Sequence, residues 1–130
     1  MPVQLISDGM ALERNTVYVI PPNCELTLQD RAFHLTKISK PRGWPRVITV
    51  FLKSLAKGWN GRPVAVILSG LDSDGSDALR SVKAAGGLTF VQKPETAAHP
   101  DMPQSAIDTG CVDFDLSPEE IAHKLAEIAC

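Results

Sequence analysis

Before residue 40 the apolar positions fall in a short run or at a period of two, and beyond residue 46 the spacing becomes helical or the apolar runs become continuous. Val17-Tyr18-Val19-Ile20 is a short apolar run stopped by Pro21-Pro22. Leu26 and Leu28 alternate with polar neighbours, and so do Phe33 and Leu35. The polar Gln29-Asp30-Arg31 between them suits a hairpin turn. Lys40-Pro41-Arg42-Gly43-Trp44-Pro45 reads as a loop, with Pro45 placed for a helix start. Val47, Val50, Phe51, Ser54 and Leu55 then recur at helical spacing.

From there strands and helices alternate. Val64-Ala65-Val66-Ile67-Leu68 is a continuous apolar run, as expected of a strand covered on both faces. Ala78, Leu79, Val82 and Ala85 share one helical face, and Gly86-Gly87 stops that helix. Leu88-Thr89-Phe90-Val91 is the next strand, ended by Pro94, and a short Ala-containing segment follows. Val112, Phe114 and Leu116 alternate with Asp113 and Asp115, which predicts a strand with one wetter face. Ser117-Pro118-Glu119-Glu120 is a capping box with proline at the first helical position. Ile121, Leu125 and Ile128 form the expected buried stripe of the last helix. Such alternation implies parallel β-α-β units, hence an α/β fold of three layers with a mainly parallel, Rossmann-like sheet and an N-terminal β-hairpin region.

Length and composition narrow the classes. The chain has 130 residues, enough for a single domain with its own core. At 44% hydrophobic and 22% charged residues it is an ordinary globular protein rather than a disordered one. A formal net charge of −2 with no basic run argues against nucleic acid as a partner. No stretch approaches a membrane span, and the N-terminus lacks a secretory pattern, so no membrane insertion is expected. Cys24, Cys111 and Cys130 are far apart and have no metal-ligand spacing, which suits reduced thiols in a cytoplasm.

In parallel α/β sheets reactive groups sit in the turns after the carboxyl ends of strands, and Ser69-Gly70-Leu71-Asp72-Ser73-Asp74-Gly75 is such a turn. Four readings compete for it. It starts a helix, with Ser73 or Asp74 as N-cap. It is a phosphate loop, although Asp72, Asp74 and Asp77 would repel an anion and no lysine follows Gly75. It binds calcium, although its glycine comes too early and Lys83 stands where a bidentate glutamate belongs. Or it presents a carboxylate that orients a histidine.

Leu68 to Gly75, then Ala85-Gly86-Gly87, Met102-Pro103-Gln104-Ser105-Ala106-Ile107, Gly110, Asp113 and Pro118 to Ala122 together resemble the C-terminal half of the CheB-type chemotaxis protein-glutamate methylesterase domain. Upstream, Asp8-Gly9, Val17 to Pro22 and Phe51 to Ala56 extend the resemblance over nearly the whole chain. It implies a serine hydrolase on a parallel α/β sheet, acting in chemotaxis signal transduction on methylated chemoreceptors and in many members also deamidating receptor glutamines. The triad aspartate of the family maps onto Asp74. The oxyanion donor falls at or next to Leu71, through its backbone N–H, and Gly70 and Gly75 shape the turn. No metal or organic cofactor is implied.

Two departures from that pattern stand out. The family's serine and histidine precede the part that matches Val3 onward, so the chain reads as a partial domain lacking them. Asp72 stands where the family has glycine, and a second carboxylate disfavours a developing oxyanion. Of the three histidines, His34 belongs to the hairpin and His123 to the polar side of the last helix. His99, in the loop before Met102-Pro103, is the one histidine to test. Ser69, Ser73 and Ser105 have nothing in the sequence to activate them. The expected partners are a methylated chemoreceptor or receptor-like protein, and either a second copy of the chain or a complementing N-terminal half. The competing class is an inactive binding or regulatory module derived from the same domain.

Overall fold

A computed structural model describes residues 1–38 and 46–129. The loop expected at Lys40 to Pro45, the helix-start role of Pro45, and Cys130 lie outside the described residues. In chain order the elements are β1 (Val3–Leu5), β2 (Val17–Val19), β3 (Cys24–Gln29), β4 (Ala32–Lys37), α1 (Val47–Gly58), β5 (Val64–Ile67), α2 (Leu79–Ala84), β6 (Leu88–Gln92), α3 (Asp101–Asp108), β7 (Phe114–Leu116) and α4 (Pro118–Ala129). Short 3₁₀ turns at Ser76–Ala78 and Pro94–Thr96 lead towards α2 and α3.

The α/β architecture expected from the strand–helix alternation is present. β5, β6 and β7 form a parallel sheet in that order, with Val64 opposite Leu88 and Phe90 opposite Phe114. β3 and β4 form the expected antiparallel hairpin, with Gln29 opposite Ala32. Its two-residue turn puts both Asp30 and Arg31 at positive φ, the geometry that matches strand twist. Arg31 there stacks its guanidinium over the Trp59 ring at 5.1 Å. β1 and β2, a separate parallel pair, complete the strands among the described residues.

Two apolar clusters hold these pieces. One gathers Leu52, Ala65, Ile67, Leu79, Val82, Val91 and Ala106 between the sheet and its helices. The other gathers Ile6, Leu26, Leu28 and Phe33 under the hairpin. Phe51 and Leu55 of α1 pack against both, so this helix joins the two halves of the molecule. The Leu28 N–H donates to Ser54 Oγ at 3.0 Å and fixes the hairpin on α1.

Several expectations need correction. β5 is covered less completely than expected: Ala65 and Ile67 are buried, but Val64 and Val66 on the opposite face are only half-buried, because α4 packs chiefly over β6 and β7. In α4, Ile121 is buried and Leu125 half-buried, while Ile128 is exposed, because the helix meets the sheet chiefly through its first turns. The segment after Pro94 contains a helix, α3, that the alternation did not reveal. Pro103 hides it, yet at the third helical position a missing N–H costs nothing. Cys24 opens β3, and Cys111 lies between α3 and β7.

Candidate functional site

The turn after β5 is fastened from two sides. On one side it is clipped to the loop before α3. The Ser69 N–H donates to Gln92 Oε1 at 3.0 Å, and Gln92 is held in turn by donating to the carbonyl and hydroxyl of Thr96. Ser69 Oγ accepts the His99 N–H at 2.9 Å and donates to the His99 carbonyl at 3.3 Å. The Gly70 N–H also donates to that carbonyl, and the Gly70 carbonyl accepts the Met102 N–H. A Cβ on Gly70 would run into the flexible end of the Met102 side chain, so glycine lets these two segments pass closely with Met102 in its present rotamer.

On the other side the turn grips the start of α1. Asp74 is only 7% exposed. Its Oδ2 accepts the Ile48 N–H and its Oδ1 the Thr49 N–H, both at 2.9 Å. Those amides belong to the first turn of α1, where helical N–H groups have no partner in their own helix. Arg46, the residue at the helix boundary, makes no side-chain cap, so Asp74 caps α1 from 25 residues away in sequence. The carboxylate thereby lies at the positive end of the α1 dipole. Thr49 returns a bond: its Oγ1 accepts the Gly75 N–H at 2.7 Å.

Within the turn, Asp72 Oδ1 accepts the Asp74 N–H at 2.8 Å, an Asx turn that presets the backbone leading into Asp74. Gly75 has φ +93°, and a Cβ there would meet Ile67 Cδ1 at 2.7 Å, so both conformation and packing require glycine. Outside the turn, Arg46 and Asp77 pair at 2.6 Å on the surface, a second but weak tie between α1 and the turn.

The sequence-predicted residues fall as follows. Asp74, Gly70, Gly75 and Leu71 share the turn. The Leu71 side chain is exposed, and its N–H has no acceptor among the described residues. The His99 backbone reaches the same place, but its ring is exposed and hydrogen-bonds to no described residue. Ser69 is occupied with the His99 backbone, Ser73 is exposed, and Ser105 lies on α3. His34 and His123 stand exposed on β4 and α4, away from the turn.

The helix-start reading is right in kind and misplaced: neither Ser73 nor Asp74 caps the helix that follows, where Gly75 is the boundary residue. Asp72 gains a role that its sequence position did not suggest. Thr49 was missed altogether, because nothing local in Val47-Ile48-Thr49 announces a partner so far along the chain.

A model of the family described as CheB methylesterase matches residues 1–125. The chain belongs to this family. Every residue of the turn, and every partner named for it, lies inside the matched range. Among CheB methylesterase relatives, the protein-glutamate methylesterase/protein-glutamine glutaminase of group 3 operon from Rhizobium meliloti (strain 1021) is 32% identical over 98% of this chain and 36% of its own length. An uncharacterized 104.1 kDa protein in the hypE 3′ region of Rhodobacter capsulatus is 41% identical over 98% of this chain and 13% of its own. The chain therefore spans well under half of either relative. The crystal structure of the Thermotoga maritima CheB methylesterase catalytic domain superposes with a TM-score of 0.78 at 28% identity, covering 94% of this chain and 67% of that one.

Proposed function

We propose that this chain is the aspartate-bearing part of a protein-glutamate methylesterase, cleaving methyl esters of receptor glutamates and deamidating receptor glutamines. In that chemistry a serine oxygen attacks the ester carbonyl, methanol leaves, and water then releases glutamate from the acyl-enzyme. A histidine takes and returns the proton, and Asp74 would accept its other N–H and balance the imidazolium. The serine and histidine would come from a segment outside these 130 residues, in the same polypeptide or another. Leu71 would offer its N–H to the oxyanion.

The observation that carries the proposal is the state of Asp74. Its two oxygens each accept one N–H from α1, and a carboxylate has about four acceptor positions, so capacity remains for an imidazole. A carboxylate held this rigidly at the mouth of a parallel sheet is preorganised for that task.

A second reading, a non-catalytic binding module of chemotaxis-type signalling, is favoured by one fact. The capping of α1 accounts for the burial of Asp74 by itself. The two readings separate when the chain is fused behind the serine- and histidine-bearing stretch of the Rhizobium meliloti relative and assayed on a methyl-glutamyl receptor peptide. Asp74→Ala should lower turnover of the folded protein by about 10³–10⁴. Thr49→Val, which removes the acceptor of the Gly75 N–H and so loosens the turn on α1 without touching the carboxylate, should lower it only in proportion to the protein unfolded. Equal effects of the two changes would leave Asp74 as a cap and overturn the catalytic assignment.

A further inference from the structure

We infer that the groove between α1 and α2 is a docking surface for an acidic helix of a second protein, gripped by Lys53 and Lys57 over a floor of small residues. The docking rests on the surface alone; that the helix belongs to the substrate rests on the methylesterase reading.

The first observation is the groove itself. It holds about 460 Å³, with Lys53, Ala56 and Lys57 of α1 on one wall and Ser81, Ala84 and Ala85 at the end of α2 on the other. Lys53 and Lys57 lie on one face of α1, about 6 Å apart along its axis. Both are exposed, and neither makes an ion pair among the described residues. Arg80 shares a face of α2 with Ala84 and is also exposed without an ion pair among the described residues. Alanine and serine between long side chains leave room for another helix to approach closely.

The second observation is the distribution of charge. α1 and α2 contain no carboxylate, in a chain whose formal net charge is −2. Residues 101–129 carry seven carboxylates against one cation, Lys124. Asp77, just ahead of α2, is paired with Arg46, and Lys83 is paired with Asp113. A helix face that only meets solvent usually mixes both signs. Here the unpaired cations gather at one groove.

The third is its place. Asp74 caps α1, and α2 follows the same turn in the chain. Both helices therefore start at the candidate site and the groove leads away from it.

These features select the occupant. Carboxylates spaced by one helical turn match Lys53 and Lys57, and glutamates at i and i+4 of a helix supply that spacing. Anionic lipid surfaces are bound through clusters of roughly four to eight basic residues, more than this groove presents. A second copy would offer α4, but α4 against the α1–α2 groove is a head-to-tail contact that does not make a two-fold dimer. In the methylesterase reading, free glutamates grip the lysines while methyl esters and amides, being neutral, do not. A substrate helix already demethylated at one position would then bind more tightly than its ester form.

The test measures fluorescence anisotropy of a labelled, alanine-based helical peptide of about 20 residues with glutamates at i and i+4, against the same peptide with glutamines. The glutamate peptide should bind the chain at least tenfold more tightly than the glutamine peptide, and lose affinity between about 50 and about 300 mM salt. Lys53→Glu and Lys57→Glu should each weaken binding about fivefold, whereas Lys124→Glu, an equal change of net charge on α4, should leave it unchanged. Ala84→Tyr fills the groove without altering charge and should also weaken binding. These variants change exposed or half-exposed residues, and circular dichroism checks that they stay folded. Equal binding of the two peptides, an equal loss with Lys124→Glu, no effect of Ala84→Tyr, or tighter binding to phosphatidylglycerol vesicles than to the glutamate peptide would each overturn the inference. So would self-association that excludes the peptide and disappears with Lys57→Glu. No turnover enters these measurements, so an inactive chain that binds the glutamate peptide keeps the docking surface and removes only the substrate role. Ester hydrolysis by the fusion described above, with KM unchanged by Lys53→Glu and Lys57→Glu and no peptide bound, keeps the methylesterase reading and removes the docking surface.

Discussion

Thr49 and Asp74 hold each other across 25 residues of sequence. The Thr49 N–H donates to the Asp74 carboxylate, and the Thr49 hydroxyl accepts the N–H of Gly75, the residue after Asp74. Because both carboxylate oxygens accept backbone N–H groups, asparagine is not a neutral replacement here. Its amide nitrogen would face one of the two donors. Asp74→Asn should therefore cost about 2–3 kcal/mol, and Thr49→Val, which leaves the buried Gly75 N–H without its acceptor, about 1–3 kcal/mol. Urea denaturation measures both. A loss below about 0.5 kcal/mol for either would show that the turn does not depend on this pair.

The two glycines of the turn should respond differently. At Gly75 an added methyl meets a left-handed backbone and the buried Ile67 together, so Gly75→Ala should cost about 2–4 kcal/mol. At Gly70 the obstacle is the flexible end of Met102, which can rotate away, and Gly70→Ala should cost about 1 kcal/mol or less. The ranking is the checkable content. A larger loss at Gly70 than at Gly75, by thermal or urea unfolding, would mean that the Met102 contact cannot yield.

The 130-residue chain alone should not hydrolyse a methyl-glutamyl peptide above background. Ser69, the serine closest to the candidate histidine, spends its hydroxyl on the His99 backbone, and the His99 ring bonds to no described residue. Ser69→Ala should instead loosen the loop before α3, seen as faster exchange of the His99 and Gly70 amides. Turnover of the peptide that disappears with Ser69→Ala or His99→Ala would contradict this and place a working pair within the chain.

How much of this was legible beforehand depends on how local the cause is. The capping box forms as the sequence predicts, with the Ser117 N–H donating to Glu120 and the Glu120 N–H to Ser117 Oγ, because all four groups lie within four residues. The β3–β4 hairpin and the parallel β5–β6 pair follow equally from patterns within short windows. β1 is three residues long and exposed, so it carries almost no periodic signal. The edge position of β5 depends on which strands are its neighbours, which a uniformly apolar run cannot reveal. At the candidate site, only the resemblance of an ordered set of motifs singles out Asp74 in the sequence. Its hold on α1 is a tertiary contact that no spacing within Ser69 to Gly75 could have disclosed.

Asp113 gives a prediction for pH. Its carboxylate accepts both contacts of the Lys83 ammonium, at 2.7 and 2.8 Å, and the Thr89 N–H at 2.9 Å. Thr89 also donates its hydroxyl to the Cys111 carbonyl, and the Asp113 N–H returns a bond to that hydroxyl, so the carboxylate ties β6 to the segment entering β7. Burial pulls the Asp113 pKa upwards, but the bonds from Lys83 and Thr89 and the charge of Lys83 outweigh it and hold the group below its ordinary value of 3.8. A depressed folded-state pKa means that the unfolded chain takes up the proton first as the pH falls. The contribution of Asp113 should therefore be complete well above pH 3.8 and fade as the pH drops through that value towards its lower folded-state pKa. Asp113→Asn should lower the unfolding midpoint at pH 7, and the gap to the unaltered chain should close on acidification below about pH 4. Lys83→Met should narrow the same gap from the other side, by removing the charge that depresses the pKa. Unfolding midpoints measured for the three chains between pH 7 and pH 2.5 decide it: a gap that stays constant across that range would mean that Asp113 acts through its shape and neutral hydrogen bonds rather than through its charge.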